Sequence, residues 1–166
     1  VEEGKVTSAR VDMGAAVFDP ARIPVLLPGS AVIGERVHIA GGVHTITCVS
    51  MGNPHCVVFE DPDEVDLEKL GPLFETDPIF PERVNTEFVK VVGRNVLKMR
   101  VWERGSGETM ACGTGACAAV AAAVARGMFA RGEDVKVLLR GGELTINVGE
   151  TVYMTGEAVE VFEGEV

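Results

Sequence analysis

Residues 113–126, GTGACAAVAAAVAR, constrain the fold more than any other stretch of this chain. The run fills about four helical turns, and its only charge is Arg126. A helix at a protein surface keeps a polar face toward water. This one has none, so it must be enclosed. Its small side chains let neighbouring backbone approach from every side. That predicts a sheet curled into a barrel around the helix, rather than a flat layer against it. Gly127 is the expected C-terminal stop.

The rest of the chain supplies the wall. KVTSARVDM (5–13) and ERVHIAGGVHTITCVS (35–50) alternate or are rich in β-branched residues, and Gly41-Gly42 is placed for a two-residue hairpin turn. NPHCVVF (53–59) reads as a short buried strand. NTEFVKVVGRNVLKMRVWER (85–104) reads as a hairpin turning near Gly93 to Asn95. Residues 134–166 add three or four strands punctuated by Gly141-Gly142, Gly149 and Gly156. DPDEVDLEKLGP (61–72) has acids early, Lys69 late and Gly71-Pro72 as a stop, and is expected to form a short second helix. The fold class is therefore α+β: about eight to ten mostly antiparallel strands around one central helix. VDMGAAVF (11–18) echoes VSMGNPHCVVF (49–59), as two similar units within one sheet would.

The chain has 166 residues, a length that suits one domain spanning 1–166. With 25 acids against 15 bases its net charge is −10, a surface that repels nucleic acid and anionic membrane. No apolar run approaches the roughly 20 residues of a membrane helix. VEEGKVTSARV lacks both an initiator methionine and the look of a signal peptide, which suggests a processed or excised piece. Cys48, Cys56, Cys112 and Cys117 show no disulfide spacing, and reduced thiols of a cytoplasmic protein are expected. His55 and Cys56 could be two metal ligands, but no second close pair completes a set, so no metal is expected.

Chemistry gathers at the mouth of the helix. Cys112 immediately precedes it, where free N–H groups and the macrodipole favour a thiolate, with a pKa below that of an ordinary thiol. The glycine-rich loop before it is expected to leave it exposed. The N–H groups of Gly113 and Gly115 are suited to hold a carboxylate. The alternative is a small buried cysteine, the reading that holds for Cys48, Cys56 and Cys117. Glu103 and Arg104 end a strand beside this loop; alone they read as a solvated strand end. Asn53, His55 and Asn85 sit at turns or strand ends, where amides often only cap. Gly113 to Ala118 fits a dinucleotide-binding G-x-G-x-x-A pattern with Asp134 downstream, but a polar loop stands where that motif needs a strand.

ERGSGETMACGTGACAAVAAA, with MGNPHCVVF and VNTEFV before it and MTGEAVEVFEGEV after it, resembles the C-terminal half of the diaminopimelate epimerases along nearly the whole chain. The resemblance implies one of the two similar domains of that fold. It also implies an isomerase that interconverts LL- and meso-diaminopimelate in lysine and peptidoglycan biosynthesis, with no pyridoxal phosphate or other cofactor. Cys112 would be one of two catalytic cysteines. Asn53, Asn85, Glu103, Arg104, Gly113 and Thr114 would bind substrate: Gly113 and Thr114 through backbone N–H groups on the α-carboxylate, Arg104 on the distal carboxylate. His55 and Glu103 would tune the cysteine pKa values.

The family's other cysteine lies in an N-G-x-R-C-like segment, and this sequence has none. The expectation is thus a C-terminal domain whose partner is the missing N-terminal domain. Its last strand (about 157–166) is left to pack against that partner, and the chain alone should be inactive. A homodimer setting two Cys112 thiols face to face is a further partner to consider. Another pyridoxal-phosphate-independent racemase of the same fold, or a non-catalytic binding domain, are the alternative functions.

Overall fold

A computed structural model describes residues 6–159, 161 and 164. Its strands are β1 (Ser8–Asp12), β2 (Ile33–Ile39), β3 (Gly42–Ser50), β4 (Pro54–Val58), β5 (Asn85–Gly93), β6 (Val96–Glu103), β7 (Gly107–Glu108), β8 (Asp134–Leu139), β9 (Gly142–Val148) and β10 (Val152–Glu157). Two α-helices accompany them, α1 (Leu67–Glu75) and α2 (Gly113–Ala125). All ten strands join one sheet in the order β1-β10-β9-β8-β6-β5-β4-β3-β2, with the short β7 attached to β6. Pairing is mostly antiparallel. The exceptions, β4–β5 and β6–β8, are the pairs between which the chain passes through a helix, since a parallel partner can be reached only by a crossover.

The apolar helix is enclosed, as its composition requires. The sheet curls so that β3, β4, β5, β6, β9 and β10 all touch α2, and every residue from Ala116 to Ala123 is at most 1% exposed. Among the described residues the curl does not close into a barrel: β1 and β2 remain its edges. A single antiparallel bridge from Val17 to Ser50 ties the segment after β1 to the end of β3. Closure fails because the outer part of the sheet covers a second core. Ile23, Val25, Ile46, Phe74 and Phe88 pack there, between the sheet and α1. Residues of β3–β5 alternate between the two cores. Val49, Val57 and Val89 face α2, while Cys48, Cys56 and Phe88 face the other side.

Turn and stop signals were legible to within a residue or two, but the second helix spans Leu67–Glu75 rather than 61–72, its early acids lying before it and Asp66 capping it. Gly127 (φ 72°) ends α2, with its N–H on Val124 O and that of Met128 on Ala123 O. The β2–β3 turn is Ala40–Gly41, both at positive φ, and not Gly41–Gly42; Gly42 already pairs with Ile39. Helix α1 runs through Pro72 rather than stopping at Gly71-Pro72. A β-carbon on Gly71 would stand 2.3 Å from the Trp102 ring, so that glycine marks a close approach. The two echoing segments both carry a positive-φ glycine whose N–H bonds the side chain two residues before it: Gly14 to Asp12 Oδ1 and Gly52 to Ser50 Oγ. Half of the expected final strand at about 157–166 lies outside the described residues; β10 ends at Glu157.

Candidate active site

β6 turns back through β7, pairing Glu103 with Gly107, and the chain then enters α2 at Cys112. Cys112 has extended backbone and caps the helix: Gly115 N–H donates to its Sγ at 3.3 Å. The Thr114 hydroxyl lies 3.6 Å from the same sulfur. With Gly115 engaged, the N–H groups of Gly113 and Thr114 are left outside the helix's own ladder, as first-turn donors are.

A chain of polar side chains approaches Thr114 from β4 and β5. These strands run parallel, with His55 beside Asn85 and Val57 beside Glu87. Glu87 Oε1 is 2.6 Å from His55 Nδ1, His55 Nε2 is 3.0 Å from Asn53 Oδ1, and Asn53 Nδ2 donates to Thr114 Oγ1 at 3.3 Å. His55 and Glu87 are both 0% exposed. Among the described residues, Glu87 Oε2 has no hydrogen-bond partner.

Asn85 stitches two loops together. Its Nδ2 donates to Pro54 O and its Oδ1 accepts from Arg104 N–H, both at 2.8 Å. The Arg104 guanidinium reaches the surface, where Nη1 donates to Glu82 O. Glu103 accepts from the Thr109 hydroxyl at 2.5 Å. Buried Glu75 holds the same turn from α1, accepting from Gly105 N–H and Trp102 Nε1. The predicted residues Asn53, His55, Cys112, Gly113 and Thr114 thus share one end of α2, while Asn85 and Glu103 sit at the ends of β5 and β6 and Arg104 opens the adjoining turn.

The helix terminus does not yield a low-pKa cysteine. Cys112 is 7% exposed, and burial pushes its thiol up to about 11. The nearby Glu87 carboxyl adds to the rise, and Glu103 adds less. The Thr114 hydroxyl and Gly115 N–H pull the other way without prevailing. The expectation of an exposed, activated thiolate is therefore corrected. Loss of water around the sulfur outweighs two donors. Burial pushes Cys117 higher still, to about 12, and raises Cys56 well above its ordinary value.

A family model for diaminopimelate epimerase matches residues 47–161, a stretch that holds the Glu87–His55–Asn53–Thr114–Cys112 line and α2. The chain belongs to the diaminopimelate epimerase family. It is 53% identical over 168 residues to the diaminopimelate epimerase of Pelotomaculum thermopropionicum, covering 99% of this chain and 59% of that protein. The diaminopimelate epimerase of Methanococcus maripaludis is 49% identical over 170 residues, covering 100% and 61%. The chain thus spans about three fifths of these epimerases. The fold recurs in a probable proline racemase from Agrobacterium radiobacter, with a TM-score of 0.67 at 15% identity over 95% of this chain and 52% of that one. It recurs also in a hydroxyproline epimerase from Agrobacterium vitis, with a TM-score of 0.66 at 14% identity over 94% and 52%.

Sequence reasoning passed over Glu87, Thr109 and Glu75. For Glu87 a signal existed. In VNTEFV it shares the period-two face of Asn85 and Val89, and a carboxyl on the core side of a strand needs a partner.

Proposed function

We propose that this member of the diaminopimelate epimerase family supplies half of an active site that epimerises LL-diaminopimelate to the meso form without a cofactor, Cys112 being one of two proton-transferring cysteines. The observation that carries this reading is the seat of Cys112 at the mouth of an enclosed helix, beside backbone N–H groups free to bind an anion. A substrate α-carboxylate on the N–H groups of Gly113 and Thr114 would have its charge stabilised where it grows, as the α-proton leaves. One sulfur, as thiolate, takes that proton and becomes a thiol; the other, as thiol, delivers its own proton to the opposite face and becomes a thiolate.

With its thiol pushed up to about 11, Cys112 is protonated at neutral pH in this chain. That is the form that delivers. Arg104, exposed at the rim, suits the distal carboxylate through its planar fork. Asn53 and Glu103 line the same approach, and Asn85 contributes by fixing the loop that presents Arg104. The second cysteine belongs to the part of the relatives that this chain does not span.

The test is incubation with LL-diaminopimelate in deuterated water. The chain alone should yield no meso product. Joined to an N-terminal epimerase domain, it should yield meso product deuterated at the inverted carbon, and Cys112→Ala should abolish it. Substantial product from the chain alone, lost on Cys112→Ala, would overturn the half-site reading.

A further inference from the structure

We propose that Glu87 is a positioning residue whose hydrogen-bond chain through His55 and Asn53 aims the Thr114 hydroxyl at Cys112 Sγ, making that hydroxyl the second donor to the thiolate. The inference rests on the reading of Cys112 as a proton-transferring base, and it assigns roles to Glu87 and to the Thr114 side chain that the family resemblance does not carry.

The argument is one of polarity along the line. Asn53 Nδ2 donates to Thr114 Oγ1, so that oxygen is an acceptor there and its own proton is free to point elsewhere. The sulfur at 3.6 Å is in reach. Asn53 keeps this orientation only if its Oδ1 receives a proton from His55 Nε2, 3.0 Å away. Nε2 must then carry hydrogen, which leaves Nδ1 of a neutral ring as an acceptor. A protonated Glu87 carboxyl, 2.6 Å from Nδ1, is the group that can donate to it.

The orphaned Glu87 Oε2 points to the same state. A buried carbonyl oxygen without a partner costs far less than a buried carboxylate oxygen without one. Burial also drives the Glu87 carboxyl above its ordinary range, against the pull of His55. A neutral Glu87 has a further consequence: the negative charge that would add to the rise of the Cys112 thiol is absent, and burial remains as its chief cause. The titratable groups acting on Cys112 are then Glu87 from β5, Glu103 from β6 and Cys117 within α2, with His55 of β4 bonded to Glu87. Gly115 completes the seat, since a β-carbon there would meet both Glu87 Oε1 at 2.8 Å and Cys112 Sγ at 3.2 Å.

The test reads Cys112 directly, so it does not depend on turnover. Alkylation of Cys112 by iodoacetamide is followed by peptide mass spectrometry across mildly alkaline pH. Thr114→Val should slow it roughly tenfold at a given pH, the loss expected when one hydrogen bond to a charged group goes; Thr114→Ser should restore it. Glu87→Leu should slow it similarly, and the double variant should be no slower than either single one. Glu87→Gln can still donate to Nδ1 and should stay near the wild-type rate. In the unsubstituted chain, ring-nitrogen NMR should find His55 protonated at Nε2 and accepting at Nδ1, a readout that holds even if Glu87→Leu does not fold.

Faster alkylation in Glu87→Leu would mean that Glu87 acts as a bare charge and would overturn the proposal. Additive effects of the two sites, or His55 protonated at Nδ1, would overturn it too. The expected alkylation pattern in a two-domain enzyme that fails to epimerise diaminopimelate would support the chain of bonds and overturn only the reaction proposed above.

Discussion

Glu87 Oε1 stands 2.8 Å from the point a β-carbon on Gly115 would occupy. A strand carboxyl and a helix glycine thus fill one another's space, and the same glycine gives its N–H to Cys112 Sγ. Neither neighbour can yield cheaply: Glu87 is wholly buried against His55, and Cys112 is fixed by its place at the helix cap.

Gly115→Ala is therefore expected to destabilise. Within an ordinary helix the change would stabilise by up to about 1 kcal/mol. Here the overpacked site should cost about 1–3 kcal/mol net. Urea denaturation reads the sign, and an unchanged or higher midpoint would contradict the packing described. Cys112 alkylation should change with it, because the carboxyl and the sulfur are both displaced.

Glu75 gives a prediction in the acid range. Burial alone would raise its carboxyl, but Trp102 Nε1, Gly105 N–H and Arg83 more than offset this and hold it below the ordinary value of 4.5. A carboxyl depressed in the folded state adds stability above its unfolded value, and that stability is lost as pH falls through the folded one. Denaturation midpoints should thus fall as pH drops below about 4.5. Glu75→Gln should flatten that part of the profile while lowering stability at neutral pH by about 1–2 kcal/mol, as the half-buried Trp102 Nε1–H and the Gly105 N–H lose a charged acceptor.

The alkaline side should show the reverse dependence. Burial raises Cys112 to about 11 and Cys117 to about 12, from an ordinary value of 9.0. The unfolded chain releases these protons first. The stability they confer is complete below 9.0 and is lost as pH rises through about 11 and about 12. Denaturation midpoints should decline across that window, and Cys117→Ala should remove part of the decline at some cost from the cavity it leaves. Cys112, at 7% exposure against 0% for the other three thiols, should still alkylate first.

What the sequence determined by itself was whatever short-range pattern can carry. A helix without a polar face has to be enclosed, and GTGACAAVAAAVAR states that within its own length. Gly127 ends it because a left-handed residue is cheapest as glycine. The strands announced themselves by β-branched runs and turn glycines, and the family by the motif around Cys112. Tertiary structure decided the rest, because the forces concerned act between residues far apart in the chain. Pairing of Ile39 with Gly42 set the β2–β3 turn one residue early. Trp102, arriving from β6, made Gly71 a contact rather than a stop. The second core beneath β3–β5 kept the sheet from closing. Cys112 shows the division most sharply: a helix N-terminus is a local property and favours the thiolate, whereas burial depends on everything packed around the sulfur and disfavours it by more. Glu87 and His55 lie 32 residues apart and meet only because β4 and β5 pair in parallel across the α1 crossover.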